Sequence, residues 1–168
     1  SAMARLTAMG LRNIHLVGST GIDYIKHADW KQMHPPIVDS YVVVSYQSET
    51  IDGANEFHEI RNQYLGDITV FIMPNVDRGN DVIRQQITDY CAGNPQHVVY
   101  ENLPHGEFLN LIYWCEEFIG NSSAMIYEAP EMGVKTRMIG KRQRGRVIPW
   151  GDGLASLRIA KALKYGTL

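Results

Sequence analysis

The sequence predicts an α/β fold in which a doubly wound, mainly parallel sheet is covered by helices on both faces. Three observations carry this. Two apolar runs, YVVVSY at 41–46 and ITVFIM at 68–73, are near-continuous and rich in β-branched and aromatic residues. Strands buried on both faces read this way, whereas a half-exposed antiparallel strand alternates apolar with polar. Between the runs lie segments whose apolar residues recur three or four apart, the spacing of an amphipathic helix. The joints are short and marked by Gly and Pro, which suits βαβ units with right-handed crossovers.

In chain order the candidate strands are 14–18 (IHLVG), 41–46, 68–74, 98–100 (VVY), 118–119 (FI) and 136–140 (TRMIG), giving a six-stranded sheet. Residues 50–65 gather Ile51, Ala54, Phe57, Ile60 and Tyr64 on one helical face, and 81–91 do so with Val82, Ile83, Ile87 and Tyr90. Residues 107–115 are apolar on most sides, through Phe108, Leu109, Leu111, Ile112 and Trp114. Residues 154–163 repeat Leu154, Leu157, Ala160 and Leu163 at helical spacing. Gly66-Asp67, Gly93-Asn94-Pro95, Pro104-His105-Gly106 and Gly133 punctuate the joints. Pro35-Pro36 reads as a loop rather than a boundary, so 1–168 read as one domain, with Ser1-Ala2 a cloning remnant ahead of Met3.

Composition removes several classes of function. With 168 residues, 45% of them apolar, the chain can bury a sizeable core. A net charge of −2 gives no general basic footprint for nucleic acid. No window approaches the ~18 apolar residues of a membrane helix, and neither end shows a leader or anchor motif. Cys91 and Cys115 are too few for a disulfide scaffold and read as reduced thiols of a cytoplasmic protein. No cluster has metal-ligand spacing, and Gly18-Ser19-Thr20-Gly21 lacks the G-x-G-x-x-G of a dinucleotide site. Neither a metal nor a cofactor is expected.

Ligands of open α/β sheets bind at the carboxyl ends of the strands. The most informative such position is Gly120-Asn121-Ser122-Ser123, where an apolar strand end meets a new helix. Ser or Asn at that junction caps exposed amides, and the helix dipole with those amides makes an anion site. Glu128, a little over one turn further on, is placed to accept hydrogen bonds from a pair of sugar hydroxyls. A second motif, Lys141-Arg142-Gln143-Arg144-Gly145-Arg146, follows the last candidate strand at the same edge. Arginine there can grip phosphate oxygens bidentately. Read alone, the first motif is equally a capped helix with an exposed Glu, and the second a solvated turn.

Taken together and in order, these residues resemble the C-terminal domain of the UDP-N-acetylglucosamine 2-epimerase family. The resemblance is nearer to the hydrolysing, sialic-acid-pathway branch. It rests on Gly-Asn-Ser-Ser, Glu128-Ala129 and Gly140-x-Arg142-Gln143-x-Gly145-Arg146. It extends over Arg5-Leu6-x-x-Met9-Gly10, 17–23 (VGSTGID), Pro74-Asn75-Val76-Asp77, and Glu101-Asn102-Leu103-Pro104 followed by Glu107-Phe108. It implies a Rossmann-like three-layer domain equal to one half of a GT-B architecture. It also implies UDP or UDP-N-acetylglucosamine as ligand. Ser122 and Ser123 would bind the diphosphate, Glu128 the ribose hydroxyls and Arg142 the phosphates, with Arg146 supporting that loop. Asn102, Leu103 and Pro104 would frame the base through backbone groups.

Two departures bear on activity. Gln47 stands where the family has a histidine at the reacting sugar, and a carboxamide cannot titrate or carry a proton as imidazole can. The family's acid/base carboxylates lie mostly on an N-terminal domain, and nothing marks Asp23, Glu49 or Asp77 as a general acid and base pair. The family reaction expels UDP from C1 with loss of the C2 proton, so it needs a base as well as diphosphate stabilisation. The expectation is therefore the nucleotide-sugar-binding half of such an epimerase, inactive alone and docked on a separate N-terminal half or in a homodimer. The alternatives are a non-catalytic UDP-sugar-binding module and the donor half of a GT-B glycosyltransferase.

Overall fold

The computed structural model describes residues 2–49, 55, 57–63, 65, 68–146 and 151–166. The chain forms two compact units, one of Asp29–Ile148 and one of Ser1–Ala28 with Pro149–Leu168.

The larger unit is a five-stranded parallel sheet made of β1 (Tyr41–Ser45), β2 (Ile68–Ile72), β3 (His97–Tyr100), β4 (Glu117–Gly120) and β5 (Thr136–Met138). Their order is β3-β2-β1-β4-β5. At the centre, Val43 of β1 stands opposite Val70 on one side and Phe118 on the other. Every residue of β1 is buried, as its unbroken apolar run requires. The smaller unit supplies α1 (Ala2–Ala8) and α2 (Thr20–His27). The strands of the larger unit are joined by α3 (Phe57–Arg61), α4 (Asn80–Cys91), α5 (His105–Trp114) and α6 (Ala124–Met132).

Strand alternation divides the core between two faces. Val42, Val44, Tyr46 and Phe71 gather with Phe57 and Ile60 of α3 and Ile83 and Ile87 of α4. On the opposite face Phe118 meets the Phe108 ring of α5 at 6.1 Å, and the Tyr41 hydroxyl donates to the Leu111 carbonyl over 2.7 Å. Each fully buried Phe or Ile contributes ~1.5–3 kcal/mol of transfer free energy, so both faces carry a stabilising core.

The chain runs β1 to β2 to β3 in one direction and then returns to β4 and β5 on the other side of β1. The switch point therefore lies between β1 and β4, where ligands of such sheets bind. Of the helix expected over 50–65, Phe57–Arg61 is helical; Ile51, Ala54, Tyr64 and the Gly66-Asp67 joint lie outside the described residues.

The smaller unit holds α1 (Ala2–Ala8), α2 (Thr20–His27) and α7 (Ala155–Tyr165). Leu154, the residue before α7, has no side chain that can cap. Asp23 of α2 does that work, accepting from the Ala155 amide at 3.1 Å and the Ser156 amide at 2.6 Å. Those amides hold the Asp23 carboxyl below its usual range.

One expected strand is corrected. Residues 14–18 form no ladder with any described strand, and Leu16 is 65% exposed. A strand exists by pairing, and an apolar stretch of five residues with no partner edge stays irregular. Here it is tied instead by Arg158, which donates to the Val17 carbonyl at 3.2 Å. Among the described residues no helix is long and apolar enough to cross a membrane.

Candidate functional site

At the switch point the ends of β1 and β4 are in intimate contact. Gly120 has φ +134°, and a Cβ there would lie 2.0 Å from the Ser45 carbonyl oxygen, so only glycine lets the two strand ends meet. The next residue, Asn121, is fully buried and fixes the two loops to each other. Its Oδ1 accepts from the Gln47 amide at 2.7 Å and its Nδ2 donates to the Gln47 carbonyl at 2.8 Å. The Asn121 amide donates to Ser45 at 3.1 Å.

Asn121 also anchors the basic turn. Its carbonyl accepts from Gln143 Nε2 at 2.8 Å and from Arg142 Nη1 at 3.4 Å. Glu49, buried in the loop after β1, accepts from the amides of Lys141 and Arg142, the latter at 3.1 Å. A buried carboxylate spent on backbone amides fixes the path of that turn. Ser122 and Arg142 are thus brought to one junction. Arg146 lies at the far end of the turn, exposed, and makes no side-chain hydrogen bond or ion pair among the described residues.

The start of α6 differs in detail from the sequence expectation. Ser122 Oγ accepts from the Ala124 amide at 3.3 Å, but Ser123, the residue before the helix, is already in helical backbone conformation and makes no side-chain cap. The amides of Met125, Ile126 and Tyr127 bond to the Ser122 and Ser123 carbonyls at 3.0–3.2 Å. The groups without a partner among the described residues are the Ser123 hydroxyl and the Ser122 and Ser123 amides. These are the donors that an anion would meet at the positive end of the helix.

Glu128 sits one turn into α6. Its Oε1 is 3.9 Å from His105 Nε2 at the start of α5, and its buried Oε2 has no partner among the described residues. Burial pushes its carboxyl above the ordinary glutamate value. Just before His105, Asn102 Oδ1 accepts from the Leu103 amide at 2.9 Å, and the Pro104 carbonyl accepts from the Phe108 amide at 2.9 Å. Leu103 also lines a cavity of about 250 Å³ shared with Tyr100, Glu107, Asn110 and residues 33, 34 and 36.

Gln47 occupies the rim between β1 and β2. Its Oε1 accepts from the Asn75 amide at 3.2 Å and from Nδ2 of the buried Asn80 at 3.1 Å. Asn80 Oδ1 in turn accepts from the Ser48 amide at 2.7 Å. Asn80 did not stand out in the sequence, and Asn121, Glu49 and Gln143 were named there without these structural roles. Their signal is long-range, since each acts on a loop 22–93 positions away.

A family model described as UDP-N-acetylglucosamine 2-epimerase matches residues 1–150 of this chain. The UDP-N-acetylglucosamine 2-epimerase of Neisseria meningitidis serogroup B is 28% identical over 163 residues, which cover 86% of this chain and 41% of that protein. Two solved structures share the fold. The first is a putative UDP-N-acetylglucosamine 2-epimerase from Listeria monocytogenes, with TM-score 0.67, 19% identity and coverage of 98% of this chain and 57% of its own. The second is the Methanocaldococcus jannaschii UDP-GlcNAc 2-epimerase in complex with UDP-GlcNAc and UDP, with TM-score 0.62, 18% identity and coverage of 98% and 59%. This chain spans about half the length of these relatives. Its fold is a Rossmann-like three-layer domain of the kind that makes one half of a GT-B protein, and the chain belongs to the UDP-N-acetylglucosamine 2-epimerase family.

Proposed function

We propose that this chain is the nucleotide-sugar-binding half of a UDP-N-acetylglucosamine 2-epimerase. The observation that carries the reading is the Asn121 junction, which gathers Ser122 and Arg142 at the switch point beside the unpartnered Ser122 and Ser123 amides that precede α6. In the proposed complex the diphosphate lies on Ser122, Ser123 and Arg142, with Arg146 a peripheral support for the turn. The ribose hydroxyls donate to the Glu128 carboxylate, which faces the start of α5 at His105, and the base rests on the backbone of Asn102, Leu103 and Pro104. A relative of known structure was crystallised with UDP-GlcNAc and UDP, which supports a ligand of that class here. Such a pocket stabilises a departing diphosphate through fixed donors.

Conversion of UDP-N-acetylglucosamine, by elimination of UDP to N-acetylmannosamine or its UDP derivative, would then require an N-terminal half or a second copy. A second reading, a UDP-sugar-binding module without catalysis, is favoured by one observation: Gln47 replaces a proton carrier with a carboxamide. Calorimetry of the purified chain tests the shared core of both readings. UDP binds, and Ser123→Ala or Arg142→Ala weakens it by about 1–3 kcal/mol, the size of a lost charge-assisted hydrogen bond. No heat of binding at millimolar UDP would remove both readings.

A further inference from the structure

A carboxylate buried beside an arginine ordinarily pairs with the guanidinium, and a guanidinium so paired has little charge left for a ligand. Glu49 is arranged otherwise. It is 5% exposed, and no ion pair joins it to Arg142 among the described residues. Its Oε1 accepts instead from the backbone amides of Lys141 and Arg142, the second at 3.1 Å. Two amides on one oxygen fix the chain at the point where the Arg142 side chain leaves it.

The guanidinium itself has only a weak tie. Arg142 Nη1 stands 3.4 Å from the Asn121 carbonyl, longer than the usual ~2.7–3.2 Å of such a bond. That carbonyl has a better donor in Gln143 Nε2, at 2.8 Å, so it stays satisfied when the arginine leaves it for phosphate oxygens. Of the four cations on the turn, Lys141, Arg144 and Arg146 are exposed and Arg142 is half-buried. In the sheet β4 lies between β1 and β5, so the two loops that Glu49 joins flank the loop that carries Ser122 and Ser123.

On the proposed ligand reading, we infer that Glu49 is a positioning residue for the phosphate grip: it holds the backbone of Lys141 and Arg142 so that the guanidinium meets the diphosphate already placed and with its charge unspent. A long side chain ordered in advance loses less freedom when the ligand arrives. Glu49 touches no ligand in this account and acts through Arg142 alone.

The experiment measures UDP binding to the whole chain by calorimetry, in a double-mutant cycle with Arg142→Ala. Glu49→Leu removes the acceptor in a side chain of similar size and is expected to weaken UDP about fivefold or more, the cost of ordering a rotamer-rich side chain at binding. Glu49→Gln keeps an oxygen for both amides and is expected to recover most of that loss. In the Arg142→Ala chain, Glu49→Leu is expected to change UDP affinity less than about twofold, because the group it positions is gone. A merely structural role weakens binding in both backgrounds, so equal losses overturn the inference. A Glu49→Leu chain that binds UDP like the unaltered one overturns it too, as does a Glu49→Gln chain no better than Glu49→Leu. Should Glu49→Leu not unfold cooperatively, Glu49→Asp, one methylene short of the amides, goes through the same cycle with the same expectations. UDP binding that falls in Arg142→Ala yet ignores every change at Glu49 overturns this inference alone, whereas a chain that binds no UDP overturns the proposed function with it.

Discussion

Glu128 is the residue whose chemistry is most exposed to pH. Burial raises its carboxyl above the ordinary 4.5, because water that would solvate the charge is excluded, and the nearby His105 only partly opposes this. The sign has two consequences. Protonation is favoured in the folded state, so the group's contribution to stability is complete below its ordinary value and is lost as pH rises through the raised one. On the proposed reading binding runs the other way, since ribose hydroxyls donate best to the ionised form. UDP affinity should fall as pH drops from 7 toward and through the raised value, above 4.5. Glu128→Gln should cost about tenfold at pH 7, the lower range for hydrogen bonds to a charged group. The wild-type advantage over that variant should shrink toward none in acid. Taking the ratio of the two proteins at each pH by calorimetry cancels the titration of the nucleotide itself, and a ratio that does not move with pH would dismiss the ribose role.

At the scale of elements, the meeting of β1 and β4 depends on one backbone position. At Gly120 a side chain meets both a disfavoured φ and the Ser45 carbonyl at 2.0 Å, and backbone cannot give way as a flexible side chain can. Gly120→Ala should destabilise by about 3 kcal/mol or more, combining backbone strain with overpacking. Chemical denaturation measures this, and a loss under 1 kcal/mol would mean the strand ends can separate. The central strands were legible in the sequence because burial on both faces leaves an unbroken apolar run, as in 41–45 and 68–72. Strand 14–18 was misread because a short apolar stretch looks the same with or without a partner, and pairing is not a local property. The site divides similarly. Ser122, Glu128 and Arg142 could be picked from local motifs, whereas the Glu49 clamp on the basic turn and the Asn80 lock on Gln47 exist only once distant loops meet.

For the whole molecule, the question is whether this chain can complete the reaction of its family. Elimination of UDP demands a base at C2, and Asp23, Glu49 and Asp77, the three carboxylates weighed in the sequence as acid or base, are all engaged as acceptors. Asp23 takes the first amides of α7, Glu49 takes the amides of the basic turn, and Asp77 accepts from Asn75 Nδ2 at 2.7 Å on the surface. Asp23, bonded to the Ser156 and Ala155 amides, is a weaker base, because the same donors that hold it favour its ionised form. Gln47, with its oxygen occupied, offers a donor and no base. On the proposed reading the pocket stabilises a leaving diphosphate, while none of these described groups is free to take the C2 proton, and no catalysis is expected of the chain alone. Purified chain incubated with UDP-N-acetylglucosamine should give no N-acetylmannosamine and no free UDP above the spontaneous rate, read by mass spectrometry, while still binding the substrate. Appearance of N-acetylmannosamine that scales with protein and disappears in Arg142→Ala would show that one of these engaged groups, or a residue outside them, serves as the base after all.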